Sequence, residues 1–175
     1  MANNLQNLIE SNQARICVMG AGYVGLPLSV IIAQTGYQVF CGEKNEKLIN
    51  LLNRGVNPLA ELGETFGDEL KLLVKEKRII TSNPETAAAD TDIKIICVPT
   101  PMFSDKSPDL TSIKTASKTI GKSLKKGDLV IIESSVSPGM TRKVICEILE
   151  ENSSLTAGQD FYVVVSPERI DPGNS

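Results

Sequence analysis

Histidine is absent from this chain of 175 residues, and so is tryptophan. Without histidine, neither an imidazole-ligated metal site nor a Ser-His-Asp triad is possible. The commonest general base is missing too, so proton transfer falls to carboxylates, lysines or tyrosines. Cysteine is sparse: Cys17, Cys41, Cys97 and Cys146, with no C-x-x-C pair among them. The first three sit in apolar runs that read as strands and Cys146 on the inner face of a helix, so all four are expected as buried structural thiols and no metal site is expected. No long basic run occurs and the net charge is −3, which argues against nucleic acid or an anionic membrane as partner. No apolar stretch approaches the roughly 20 residues of a membrane helix. The opening "MANNLQNLIESNQ" lacks the positive start and apolar core of a signal peptide. A cytoplasmic location is the resulting expectation.

What is present looks like one ordinary globular domain, with 41% hydrophobic and 22% charged residues and length enough for a real core. Short apolar runs at 15–19, 37–42, 78–82, 92–101, 128–135 and 160–167 read as six strands. Between them lie helical patterns at 23–34, 45–55, 58–77 with a break near Gly67, 84–90, 110–126 and 139–152. Runs such as "IKIICV", "LVII" and "YVVV" do not alternate, as expected for strands buried on both faces of a parallel sheet. The predicted fold is therefore α/β: a Rossmann doubly wound parallel six-stranded sheet, order 3-2-1-4-5-6, with helices on both faces. Residues 1–14 are expected as an N-terminal extension and 15–175 as the dinucleotide-binding domain.

The first strand runs directly into Gly20, Gly22 and Gly25, a G-x-G-x-x-G turn that opens a helix. The first glycine permits the tight turn, the second lets backbone approach a diphosphate, and the third lets helix and strand pack closely. The helix N-terminus offers unpaired N–H groups and a partial positive charge. Alone the pattern is weak, but an acid, Glu43, ends the second strand 23 residues after Gly20, where a carboxylate can accept both ribose hydroxyls of an adenosine. Glu43 should also repel a 2′-phosphate and favour NAD over NADP, an argument blurred by the neighbouring Lys44.

Four stretches in order carry a closer likeness: "MGAGYVGLPLSV" (19–30), "ICVPTP" (96–101), "IIESSVSPGMT" (131–141) and "VSPERIDPGNS" (165–175). Together they resemble the NAD-binding domain of the UDP-glucose/GDP-mannose dehydrogenase family, with an ending most similar to the branch acting on UDP-N-acetylhexosamines such as UDP-N-acetylmannosamine. Each follows a predicted strand's carboxyl end, where open parallel sheets bind ligands.

The resemblance implies oxidation of a UDP-sugar C6 alcohol through aldehyde to carboxylate with two NAD, in bacterial surface-polysaccharide synthesis. It implies that Gly20, Gly22, Tyr23, Val24, Gly25 and Glu43 hold the dinucleotide, and that Val98, Pro99, Thr100 and Ser135 line it nearer the nicotinamide. Glu168 matches the glutamate that orients or deprotonates a catalytic water. Ser135, where the family usually has threonine, stands ready to hydrogen-bond that water or the ribose. Glu43 likewise replaces a usual aspartate, and Arg169 faces either a substrate phosphate or an exposed carboxylate. The family's cysteine nucleophile, its lysine and asparagine, its dimer-forming central helix and its substrate domain correspond to sequence beyond residue 175. The chain is thus expected as a cofactor-binding part of a homodimeric enzyme, inactive alone. Two other readings stand beside it: a Rossmann dehydrogenase of the 6-phosphogluconate or 3-hydroxy-acid type, and a non-catalytic nucleotide-binding module.

Overall fold

A computed structural model of the chain describes residues 2–166. The six strands are β1 (Arg15–Met19), β2 (Gln38–Gly42), β3 (Ile79–Ser82), β4 (Ile93–Ile96), β5 (Leu129–Ile132) and β6 (Tyr162–Val165). They form one sheet in the order β3-β2-β1-β4-β5-β6, and every pairing is parallel. This is the predicted topology.

Side-chain alternation splits the core into two layers. Ile16, Val18, Val39, Cys41, Ile79, Ile93 and Ile95 face α2 (Gly25–Gln34) and α4 (Gly63–Lys75). Cys17, Met19, Ile96, Val130 and Ile132 face α5 (Pro84–Ala88), α6 (Thr111–Gly121) and α7 (Glu147–Ser153). β1 and β4 therefore lie between two helical layers, which is why their sequences do not alternate. Each fully buried aliphatic side chain contributes about 1.5–3 kcal/mol of hydrophobic stabilisation.

Four details differ from expectation. Residues Ala2–Glu10 form a helix, α1; Leu5 and Leu8 pack against the first core layer, and the Tyr37 hydroxyl donates to the Ile9 carbonyl at 2.8 Å. Helix α4 runs through Gly67 without a break, because buried Leu70 and Leu73 anchor it more strongly than the roughly 1 kcal/mol a helical glycine costs. Between α3 (Glu46–Leu52) and α4 the chain makes a 3₁₀ turn, Ala60–Leu62. The helix after β5 begins as a π-helix, Thr141–Cys146, before continuing as α7.

β4 and β5 are also shorter than predicted. Beyond Ile96 only Cys97 continues the ladder, through its N–H to the Met19 carbonyl at 2.9 Å, and Pro99 and Pro101 have no N–H to donate. Cys97 consequently sits just past the strand and is only half-buried, as is Cys146 in the π-helix. Neither is the fully buried thiol expected, whereas Cys17 and Cys41 are. Burial pushes the Cys41 thiol up to about 11. None of the four is in a disulfide.

Candidate functional site

The carboxyl ends of β1, β2, β4 and β5 all open on the same edge of the sheet, and the three glycines stand at its centre. Gly20 has φ +101°, and a Cβ there would meet the Cys97 carbonyl oxygen at 2.7 Å. At Gly25 a Cβ would lie 1.8 Å from the Gly20 carbonyl oxygen. Both glycines are thus demanded by protein-internal packing. Gly22 differs: a Cβ there would meet nothing within 4 Å, so its backbone faces open space. The N-cap residue of α2, Val24, makes no side-chain cap, and the N-terminal end of the helix, with its partial positive charge, lies at this turn. A diphosphate fits this arrangement. Leu26 and Leu28 make the first intrahelical bonds, to the Gly22 and Val24 carbonyls at 3.0 and 3.1 Å.

Glu43 follows β2 and is held by three backbone amides. One carboxylate oxygen accepts from Ala21 N–H at 3.3 Å. The other accepts from Lys44 and Asn45 N–H at 2.8 and 2.9 Å. The longer glutamate arm therefore folds back onto its own loop and still reaches the glycine turn. Glu43 lines a pocket of about 220 Å³ together with Gly20, Gly42, Lys44, Val98 and Pro99. The residues present fit a dinucleotide: an open turn for the diphosphate and, beside it, a carboxylate for ribose hydroxyls.

The loops after β4 and β5 are tied together. The buried Ser134 hydroxyl donates to the Val98 carbonyl at 2.7 Å, and Glu133 and Ser134 N–H both reach the Ile96 carbonyl at 3.0 Å. Thr100 donates its hydroxyl to the Ser135 carbonyl at 2.9 Å. Val98, Pro99, Thr100 and Ser135 are thereby brought together, with the Ser135 side chain exposed. Ser134, which sequence reasoning passed over, does the fastening. A pair of adjacent serines gives no sign of which one turns inward.

Tyr23 does not line the pocket. Its half-exposed side chain donates to the Glu61 carboxylate in the 3₁₀ turn, a bond that raises the Tyr23 pKa and lowers that of Glu61. Val24 is half-buried at the helix start. Glu168 and Arg169 lie outside the described residues. Among the described residues no cluster of three His, Cys, Asp or Glu side chains could hold a metal ion, and no helix is long and apolar enough to cross a membrane. Pro84 and Ser112, Thr115, Ala116 and Thr119 of α6, which also line the pocket, were not foreseen.

Known proteins share this fold. The model of the UDP-glucose/GDP-mannose dehydrogenase family, NAD binding domain, matches residues 14–175. The UDP-N-acetyl-D-glucosamine 6-dehydrogenase of Salmonella typhi is 40% identical over 164 residues, covering 93% of this chain and 37% of that protein. The UDP-N-acetyl-D-mannosamine dehydrogenase of Pyrococcus horikoshii is 35% identical over 159 residues, covering 91% and 37%. Among solved structures, a ternary complex of GDP-mannose dehydrogenase from Pseudomonas aeruginosa superposes with a TM-score of 0.84 at 29% identity, over 90% of this chain and 36% of that one. The chain therefore spans a little over a third of the length of these relatives.

Proposed function

The chain belongs to the UDP-glucose/GDP-mannose dehydrogenase family through its NAD-binding domain, and from that premise we propose that it is the cofactor-binding part of a nucleotide-sugar 6-dehydrogenase. The observation that carries this reading is the placement, on one sheet edge, of Gly22, where an added Cβ would meet nothing within 4 Å, of the α2 N-terminus, and of Glu43, whose carboxylate accepts from Ala21 N–H in the same turn. NAD is the cofactor of this family domain, and bound here it supplies the hydride acceptor for both oxidations of a C6 alcohol to a carboxylate.

The roles of this chain's residues follow. Gly20 and Gly25 shape the turn, while Gly22, Tyr23 and Val24 carry the amides that meet the diphosphate. Glu43 accepts the ribose hydroxyls. Val98, Pro99 and Thr100, fastened through Ser134, border the nicotinamide half. Ser135 hydrogen-bonds the reacting water or the ribose, and Glu168 orients or deprotonates that water. Residues 15–175 form the NAD-binding domain and 1–14 its extension. The substrate is a UDP-sugar of the N-acetylhexosamine class, which the relatives' names support. The sugar site is formed mostly by other parts of a cytoplasmic homodimer, so these 175 residues alone bind NAD and turn over little or nothing.

Titration of the chain with NADH and with NADPH, followed by nicotinamide fluorescence with circular dichroism as the folding control, tests the reading. Saturable binding that prefers NADH is expected. A folded chain that binds neither would overturn it.

A further inference from the structure

We infer that Ser134 is a positioning residue for the nicotinamide half of the cofactor. Acting through Val98, its hydroxyl sets the loop after β4, and its loss weakens the hold on that half while the adenosine half stays bound as before. The inference rests on the reading above, in which the glycine turn and Glu43 hold the adenosine and diphosphate and the loops after β4 and β5 border the nicotinamide.

The sequence makes these two loops depend on side chains. A parallel ladder is extended by backbone N–H groups, and Pro99 and Pro101 have none. Two hydroxyls tie the loops instead, and they run in opposite directions. Ser134 donates from the β5 loop to the Val98 carbonyl at 2.7 Å. Thr100 donates from the β4 loop to the Ser135 carbonyl at 2.9 Å.

The Ser134 proton has two carbonyls in reach, Ile96 at 3.3 Å and Val98 at 2.7 Å. The Ile96 carbonyl already accepts the N–H groups of Glu133 and Ser134, each at 3.0 Å, so the single proton of the hydroxyl goes to Val98. The Val98–Pro99 peptide has only this carbonyl by which to be held, since Pro99 offers no N–H. Val98 and Pro99 line the pocket, whereas Ser134 is buried and does not. The serine therefore shapes the pocket from behind.

The adenosine side is held by other bonds. Glu43 rests on the N–H groups of Ala21, Lys44 and Asn45. Cys97, whose carbonyl lies against Gly20, keeps its own ladder bond to Met19 at 2.9 Å. Alanine at position 134 thus frees the Val98 carbonyl and leaves those contacts in place. The expected loss is that of one hydrogen bond, about fivefold in affinity.

Nicotinamide fluorescence gives the NADH affinity of the 175-residue chain, and displacement of NADH by ADP gives the affinity for the adenosine and diphosphate alone. Ser134→Ala, with circular dichroism as the folding control, is expected to bind NADH about fivefold more weakly and ADP as tightly as wild type. Thr100→Val, which breaks the reciprocal bond at a half-buried position, should shift the NADH-to-ADP ratio in the same direction. An unchanged ratio in folded Ser134→Ala would overturn the inference, whether neither ligand is weakened or both are weakened equally. If Ser134→Ala does not fold, Thr100→Val decides, and a wild-type ratio there would overturn it. A folded wild-type chain that binds neither NADH nor ADP would overturn the site itself, a different and recognisable result.

Discussion

The two ends of the sheet handle charge in opposite ways. At the carboxyl end, Glu43 is half-exposed and its carboxylate rests on three backbone amides, beside a turn whose middle glycine has open space where a Cβ would stand. Near the amino end, Lys94 is completely buried among apolar neighbours on β4 and paired with Asp128, just before β5. Its ammonium also donates to the Thr91 carbonyl at 2.5 Å, and Asp128 accepts Lys125 N–H at 2.8 Å. Burial pulls the lysine pKa below its ordinary value, while the Asp128 carboxylate pushes it back up. One end keeps a charge accessible with room beside it. The other neutralises its charges internally and leaves no room. In a parallel sheet the first arrangement suits ligand binding and the second holds strands in register, so changes at the two ends should separate affinity from stability.

The largest effect should come from the glycine turn, where the two consequences divide within one motif. Gly25→Ala would place a methyl 1.8 Å from the Gly20 carbonyl oxygen, and neither backbone can retreat without moving β1 or α2. A loss of more than about 3 kcal/mol is expected, with NADH binding abolished. Gly22→Ala adds its methyl to open space, so urea unfolding should match wild type within about 0.5 kcal/mol while NADH affinity falls at least tenfold. If Gly22→Ala bound NADH normally, the open space would not be where the diphosphate lies, and the contrast between the ends would fail at its centre.

At the other end, Asp128→Ala leaves a buried ammonium with only the Thr91 carbonyl. Removing one partner of such a pair costs about 3–5 kcal/mol. NADH affinity of the folded protein should not change, because the pair lies near the opposite edge of the sheet. The double substitution Lys94→Met, Asp128→Leu removes both charges and should recover most of the loss. Unfolding curves of the three proteins with parallel NADH titrations check this. A drop in affinity that tracked the drop in stability would mean that the two ends are coupled.

The same contrast explains what could be read from the chain in advance. Strand order followed from alternating strands and helices, and the spacing of Gly20, Gly25 and Glu43 was legible because it falls within one β-α-β unit, although the atom that crowds Gly20 belongs to Cys97 after β4. Lys94 was not, since inside "IKII" it looks like an interruption of an apolar run, and its partner arrives 34 residues later from the next strand. Helix α1 also escaped notice. Nothing within 1–14 announces Leu5 and Leu8 as core residues until Tyr37 and the first helical layer are there to receive them. The α6 lining of the pocket failed for a related reason: Ser112, Thr115 and Thr119 gain meaning only where they join Pro84 and Glu43 from other segments. Contacts between distant segments, more than local propensity, separate what was read from what was not.

The smallest predicted effect tests whether the carboxyl end is given over to ligand alone. Tyr23 sits inside the glycine motif, yet its hydroxyl is spent on Glu61 rather than on the pocket. Hydrogen bonding holds the Glu61 pKa below its ordinary 4.5, so this bond's stabilisation is present above that value and is lost as pH falls through the lower folded one. Tyr23 is raised above its ordinary 10.0 by the same bond and by the charge of Glu61. Its contribution is therefore present below that value and lost as pH rises through the folded one. Tyr23→Phe should lower the thermal midpoint slightly between these limits, and the wild-type and variant curves should converge at both extremes. Both groups are solvent-exposed, so the shift will be small and will need matched scans. An NADH affinity unchanged by Tyr23→Phe would make the tyrosine side chain a fastener of the α3–α4 connection, placed in the ligand turn for its backbone amide. A weakened affinity would mean instead that the carboxyl end holds its ligand partly through the segment that Glu61 anchors, and the division between the two ends would then run through the glycine motif itself.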